Sequence, residues 1–230
     1  MLRRKVIEVV AGSLYEDLLL VRGFVRQQSL QIKDYADNLE RYVEEEDIET
    51  IVSVEENKEE LVSLPARHIE GVFEHDFDLK AIFTEVMPIY QRQAMLITIW
   101  SRFGEGLLSI ANTLAGEKGI NKKPRSARIS DVVHYYNEVQ RLGLTLDPSK
   151  ELNYAVSFMS NVVGKVRNAW VHDGGKAKKS ALIDVVNLEE NLSFRNDLIN
   201  VKEAFLAKVL DTMIYVAESF YRKSWNYPNN

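Results

Sequence analysis

The stretch VRNAWVHDGG, residues 166–175, gathers the side chains of this chain best suited to moving protons and holding anions. Arg167, Asn168 and His172 surround Trp170, and Asp173, Gly174 and Gly175 follow. A histidine exists in both protonation states near neutral pH, so it can take the proton of a ribose 2′-hydroxyl or return one to a leaving oxygen. An arginine offers a planar fork of donors to phosphate oxygens and to the charge that develops on them. These residue types suit cleavage of a phosphodiester in RNA, by a scheme that needs no metal and no other cofactor.

Spacing sets how the three groups cooperate. Asn168 and His172 lie four apart and share a helix face, so the amide is expected to hydrogen-bond the imidazole and fix its tautomer. Arg167 precedes His172 by five residues, about 140° round the axis at 3.6 residues per turn. In one helix the two converge only if the arginine bends. A two-fold homodimer would bring the same helix end from both copies together, collecting two arginines and two histidines in one groove.

The elements that must position these groups read as helices. LDPSKELNYAVSFMSNVVGKVRNAWVHDGG predicts one helix with Asp147 as cap, Pro148 as opener and Gly174 as the left-handed residue that closes it. Leu152, Val156, Met159, Val163, Val166 and Trp170 face a core. Upstream, Ala94, Ile97, Trp100, Phe103, Leu107, Ile110, Ala111 and Leu114 form an apolar stripe that Gly116 or Gly119 ends. A basic loop with Lys122, Lys123, Arg125 and Arg128 follows, and Ser130 caps the next helix. Beyond the motif come Lys176, Lys178 and Lys179, an irregular stretch to about residue 200, and a last helix over about 201–222. The basic segments are candidates for RNA-backbone contacts, because phosphates supply most sequence-independent affinity, and otherwise serve as solubilising loops.

Toward the N-terminus, a helix is expected over about 6–42, with Gly23 as a candidate break. A shorter helix is expected after Pro65, ending near EHDFD. Glycine and proline are sparse, 11 and 5 of 230 residues, and apolar residues recur at helical spacing almost throughout. The fold class expected is therefore all-α: a four- to five-helix antiparallel bundle over residues 76–225, preceded by an N-terminal helical extension over 1–75 that carries an acidic tract.

Charge and composition narrow the function classes. Residues 33–60 hold twelve acids against three bases, a net of −9, which leaves +4 for the rest of a chain whose net charge is −5. Such a block reads as a solvated face or connector. The chain has no cysteine, which excludes a thiolate metal site and a cysteine nucleophile. Glu8, Glu16 and Asp17 interrupt the apolar run that a signal peptide needs, and the longest apolar run, 94–100, is too short for a membrane span, so a cytoplasmic protein is expected. His68 and His75, with Glu70, Glu74 and Asp76 nearby, are read as polar helix-surface residues rather than metal ligands. The string GEG at 104–106 lies in an apolar helix and lacks the strand that a dinucleotide site requires.

RNAWVH resembles the R-x4-6-H signature of the HEPN superfamily, in which a polar residue, often asparagine, follows the arginine at the end of a core helix. The resemblance covers about residues 79–222 and assigns Arg167, Asn168 and His172 to the motif. It implies a helical bundle that dimerises with paired motifs in a cleft. In many members it implies a metal-independent endoribonuclease that leaves a 2′,3′-cyclic phosphate and acts in toxin, antiviral or stress systems, some with an antitoxin or defence-system partner. The toxin branch paired with a nucleotidyltransferase antitoxin carries a tyrosine two residues after the histidine. Gly174 stands there, so the chain is not assigned to that branch. Other members keep the fold without catalysis, which leaves a noncatalytic module that binds a partner protein or nucleotide as the alternative. A third reading is a structural protein that assembles through its N-terminal helix and acidic tract.

Overall fold

Helical periodicity carries the first long element through Gly23 without a break. In the computed structural model, which describes residues 5–55, 58–126 and 129–228, α1 spans Val6–Asp37. The chain divides into two units, Met1–Arg26 with Arg92–Asn230, and Gln27–Gln91. This differs from a cut after residue 75, because the first 26 residues belong with the C-terminal part.

The second unit departs most from the all-α expectation. After α1 and a 3-10 turn at Leu39–Arg41, β1 (Glu44–Glu55) and β2 (Lys58–Ile69) pair antiparallel in a register running from Glu44↔His68 to Glu55↔Lys58. A short β3 (Val72–Phe73) extends the sheet beside β2. The acidic tract is thus largely strand, and no helix starts at Pro65, which lies opposite Asp47. Ile48, Thr50, Ile51 and Val52 supply the β-branched character that favours a pleated surface. Proline is tolerated because β3 pairs only with His68 and Ile69, so β2 has a single neighbour at Pro65. The apolar centre of this unit is Ile69, Leu79 and Phe83, packed by Tyr35, Tyr42 and Val72. Arg67 ties the strand to Glu40 at 2.6 Å and to Glu74 at 3.2 Å. His68 lies on β2, not on a helix, and its Nδ1 accepts from the Gly71 amide at 3.3 Å.

A short α2 (Leu79–Ala81), capped by Asp78, and a π turn at Ile82–Val86 lead into α3 (Met87–Lys118). From Arg92 onward the chain belongs to the first unit. There α4 (Asp131–Arg141), α5 (Lys150–Phe158), α6 (Gly164–Asp173), α7 (Ser180–Leu188) and α8 (Glu203–Ser224) complete a predominantly helical body. Helix α7 and a second small hairpin, β4 (Leu192–Arg195) and β5 (Leu198–Val201), replace the irregular stretch expected there. Its turn residues Asn196 and Asp197 both adopt left-handed φ, 48° and 63°. These are residue types that tolerate that conformation in a two-residue hairpin.

Close approach organises this unit. A Cβ on Gly106 of α3 would collide with the Leu14 side chain of α1, so glycine allows that crossing. Tyr136 of α4 and Phe158 of α5 meet Phe220 and Phe205 of α8, with ring centroids 5.7 and 5.9 Å apart. Phe103, Leu107, Ile110 and Leu114 of α3 are fully buried, as the stripe in the sequence predicts, whereas at its start Ala94 is exposed and Ile97 half-buried, and Met95, Leu96 and Ile99 are covered instead. Among the described residues no helix is long and apolar enough to cross a membrane.

Candidate functional site

The site is built on α6, and α6 is aimed by what precedes it. Ser149, not Asp147, caps α5, accepting from the Leu152 amide at 3.0 Å, and the helix opens at Lys150 rather than Pro148. Asp147 instead pairs with Lys223 of α8 at 3.0 Å. Between α5 and α6 the helix makes one π turn at Met159–Val163, where the Gly164 amide donates to the Met159 carbonyl five residues back. Val166, Ala169 and Trp170 then face inward while Asn168 and His172 are exposed. A Cβ on Gly164 would stand 3.2 Å from Trp100 Cη2, so the glycine lets the Trp100 indole lie against α6.

The helix ends as the sequence predicts, on Gly174 at φ 61°. Gly175, at φ 81°, turns back against the face of Trp170, donates to the Ala169 carbonyl at 3.0 Å and accepts from the Ile199 amide at 2.9 Å. The last turn is thereby tied to β5. Trp170 is 5% exposed and belongs to the core.

Arg167, Asn168 and His172 open onto one cavity of about 400 Å³, whose other walls are Trp100, Arg125, Ile129, Ser130 and Asp131. One chain therefore brings arginine and histidine to the same space, despite their angular separation on the helix. The arginine does this by bending over Asn168: its Nη1 donates to Asn168 Oδ1 at 3.0 Å. The expected Asn168–His172 hydrogen bond is not formed among the described residues; the amide oxygen is taken by Arg167. Arg167 Nε is buried without a partner, and no carboxylate of the described residues pairs with this guanidinium. Glu105, on the neighbouring α3, pairs with Arg102 at 3.4 Å. A guanidinium has five N–H donors, so most of its capacity remains for a ligand.

The basic residues divide by location. Arg125 stands in the cavity, paired with Asp131. Lys178 and Lys179, with Lys165, line a second concavity of about 440 Å³ on the opposite flank of Asn168 and His172. Lys178 bonds Asp173 at 2.6 Å, and this bond holds the Asp173 carboxyl below the usual carboxylate range. Lys176 is exposed and bridges to Leu198 through its backbone. Lys122 and Lys123 do not line the cavity. Lys122 donates to Asn112 of α3, and the Lys123 amide donates to Glu138 at 3.0 Å. Arg128 lies outside the described residues.

Three contributors escape the sequence reading. Trp100 looks like one more stripe residue, yet its edge walls the cavity. Asp131 follows the Ser130 cap, which accepts from the Val133 amide at 3.4 Å, and puts a carboxylate beside the motif. Glu138, its side chain 5% exposed, fixes the loop that carries Arg125. It accepts from the Lys123 amide and from Arg141 Nε and Nη2 at 3.0 and 2.7 Å, while Arg141 also reaches the Asn121 carbonyl at 3.3 Å. The Arg141 contact holds Glu138 below the ordinary carboxylate range, with the Lys123 amide adding to the effect and burial opposing it. The spacing of Glu138 and Arg141, three apart on one helix, was the available signal for that pair.

With this geometry in view, no known protein family, curated protein or solved structure matches the chain.

Proposed function

We propose that the protein is a metal-independent endoribonuclease of the HEPN type, built on a helical bundle within the first unit and acting as a homodimer. The observation that supports this reading most is the convergence of Arg167, Asn168 and His172 on one solvent-accessible cavity. In the reaction His172 removes the 2′-hydroxyl proton and the 2′-oxygen attacks phosphorus. The P–O5′ bond then breaks, and the 5′-oxygen takes a proton from an imidazolium. The products are a 2′,3′-cyclic phosphate and a 5′-hydroxyl. Arg167 binds the nonbridging oxygens and stabilises the charge that grows on them, and Asn168 holds the guanidinium over the site. A second copy related by a two-fold axis would supply the second imidazole, so that one acts as base and the other as acid. The resemblance places such an activity in toxin or antiviral defence, with an antitoxin or defence-system protein as a further partner.

The test is cleavage of labelled RNA in EDTA by the purified protein and by His172→Ala. Cleavage by the parent and a loss of at least about a hundredfold in the variant support the reading. Equal cleavage by both, or none by either, refutes it.

A noncatalytic module of the same kind, binding a partner protein or nucleotide, is the second reading. One observation favours it: the Asp131 carboxylate occupies the same cavity and neutralises Arg125, which lowers the attraction for a polyanion. On that reading His172→Ala leaves binding and function intact.

A further inference from the structure

A third cleft, of about 240 Å³, opens between α3 and α4 and shares Trp100, Asp131 and Arg167 with the cavity of the motif. Arg167 is thus a wall of two adjoining spaces. Gly104 lines the cleft, and the half-buried Tyr135 ring and Leu108 give it apolar surface. The Glu105 carboxylate stands at its rim, 67% exposed, linked to Arg102 only by an exposed contact at 3.4 Å. Exposed ion pairs of this kind hold their partners weakly, so the carboxylate is free to accept from a ligand.

We infer that this cleft is a nucleobase subsite that selects guanine next to the scissile phosphate; the inference rests on the ribonuclease reading, in that the base belongs to the RNA strand held by Arg167. The size and the aromatic wall suit a planar ring, and base–aromatic stacking carries affinity without choosing among bases. The choice comes from the carboxylate, which only accepts hydrogen bonds. Guanine presents two adjacent donors, N1–H and the N2 amino group, spaced to meet both oxygens of one carboxylate. Uracil presents O2 and O4 on either side of its single N3–H, which sets oxygen against oxygen. Adenine offers one amino donor beside an acceptor nitrogen. A bidentate match of the guanine kind discriminates on the order of tenfold or more against the wrong base.

The test measures binding of 3′-GMP and 3′-UMP by calorimetry to the intact protein and to Glu105→Gln, Gly104→Ala and His172→Ala, beside the RNA cleavage assay. A Cβ at residue 104 would lie 3.5 Å from Val132 Cγ2, an ordinary contact, so Gly104→Ala narrows the cleft without forcing the helices apart. The expected result is binding of 3′-GMP about tenfold tighter than of 3′-UMP, in the parent and in His172→Ala alike. Glu105→Gln should bring the two nucleotides within about twofold by weakening 3′-GMP alone, and Gly104→Ala should weaken both. Equal binding of the two by the parent, or an undiminished preference in Glu105→Gln, overturns the inference. If RNA stays intact while the preference appears and depends on Glu105, the subsite stands and the nuclease reading alone fails. If His172-dependent cleavage occurs with no preference for guanine, the nuclease reading stands and the subsite falls.

Discussion

Gly174 and Gly175 make a paired experiment, because alanine meets the same backbone problem at both positions and a steric problem at only one. Each residue has left-handed φ, 61° and 81°, which costs an L-residue about 1–2 kcal/mol. At 174 a Cβ has nothing within 4 Å, so Gly174→Ala should lose only that amount. At 175 a Cβ would stand 2.5 Å from Trp170 Cζ3 and 2.6 Å from Cε3 and Cη2. The indole is 5% exposed, so it has little open space to move into, and overpacking of this sort costs a further 1–3 kcal/mol or so. Gly175→Ala should therefore destabilise by about 2–5 kcal/mol in all. The assay is urea unfolding followed by indole fluorescence, which reports on the first unit alone because Trp100, Trp170 and Trp225 all belong to it. With a slope on the order of 3 kcal/mol per molar, the midpoint of the 175 variant should fall about 0.3–1 M below that of the 174 variant. Coincident midpoints would refute the packing of this turn on Trp170, and with it the account of how the end of α6 is fixed.

Four further outcomes follow from the same geometry. Glu138→Gln should release the loop that carries Arg125, raising amide exchange at Lys123 at least about tenfold; unchanged exchange would remove Glu138 as the anchor. In the parent that anchor has a pH dependence of definite sign. The folded carboxyl is held low by Arg141, so its contribution is complete above the unfolded value near about 4.3 and fades as the pH falls through the lower folded one. Protection at Lys123 that is flat from pH 7 down to 5 and drops only below that window is the expected profile. Asp131→Asn leaves Arg125 unneutralised in the cavity, so RNA affinity should rise and the slope of log K against log salt should steepen by about one; an unaltered slope would place the RNA elsewhere. Arg167→Lys keeps the charge and loses the fork, and cleavage should fall about 10²–10³-fold in kcat, whereas near-parent activity would mean that a point charge suffices.

The end of α6 was legible because its signals are local. Ser130 caps α4 and Gly174 closes α6 with no help from distant residues. The buried stripe of α3 was equally readable, since 3.6-residue periodicity records which side is covered. The hairpin was not, because Glu44–Asp47 and Glu49 swamp the short alternation around Ile48–Val52, and strand formation depends on cross-strand pairing with β2 that the residues of β1 alone do not reveal. Pro65 pointed to a helix start for the same reason: only the sheet order explains why it can sit in β2. Within the site, spacing left two routes by which Arg167 could reach the space of His172, a bend of the arginine or a second copy; the bend over Asn168 is a side-chain detail that periodicity does not fix. The pairing of Arg125 with Asp131 joins a loop to a helix start, and no spacing rule foresees it.

The π turn at Met159–Val163 has a consequence for heredity as well as for shape. One residue more or less in a helix swings everything downstream by about 100°. Losing a single codon there would close the turn to an ordinary α turn and keep RNAWVH in phase, whereas losing one from the α-helical turns beside it would leave every letter of RNAWVH in place and point its polar groups toward a different neighbour. A reader comparing genes by spelling would score the two versions as the same motif, although one would display it to solvent and the other would not. What lineage must preserve here is phase, and an alignment that closes a one-residue gap as noise would erase the feature on which the display depends.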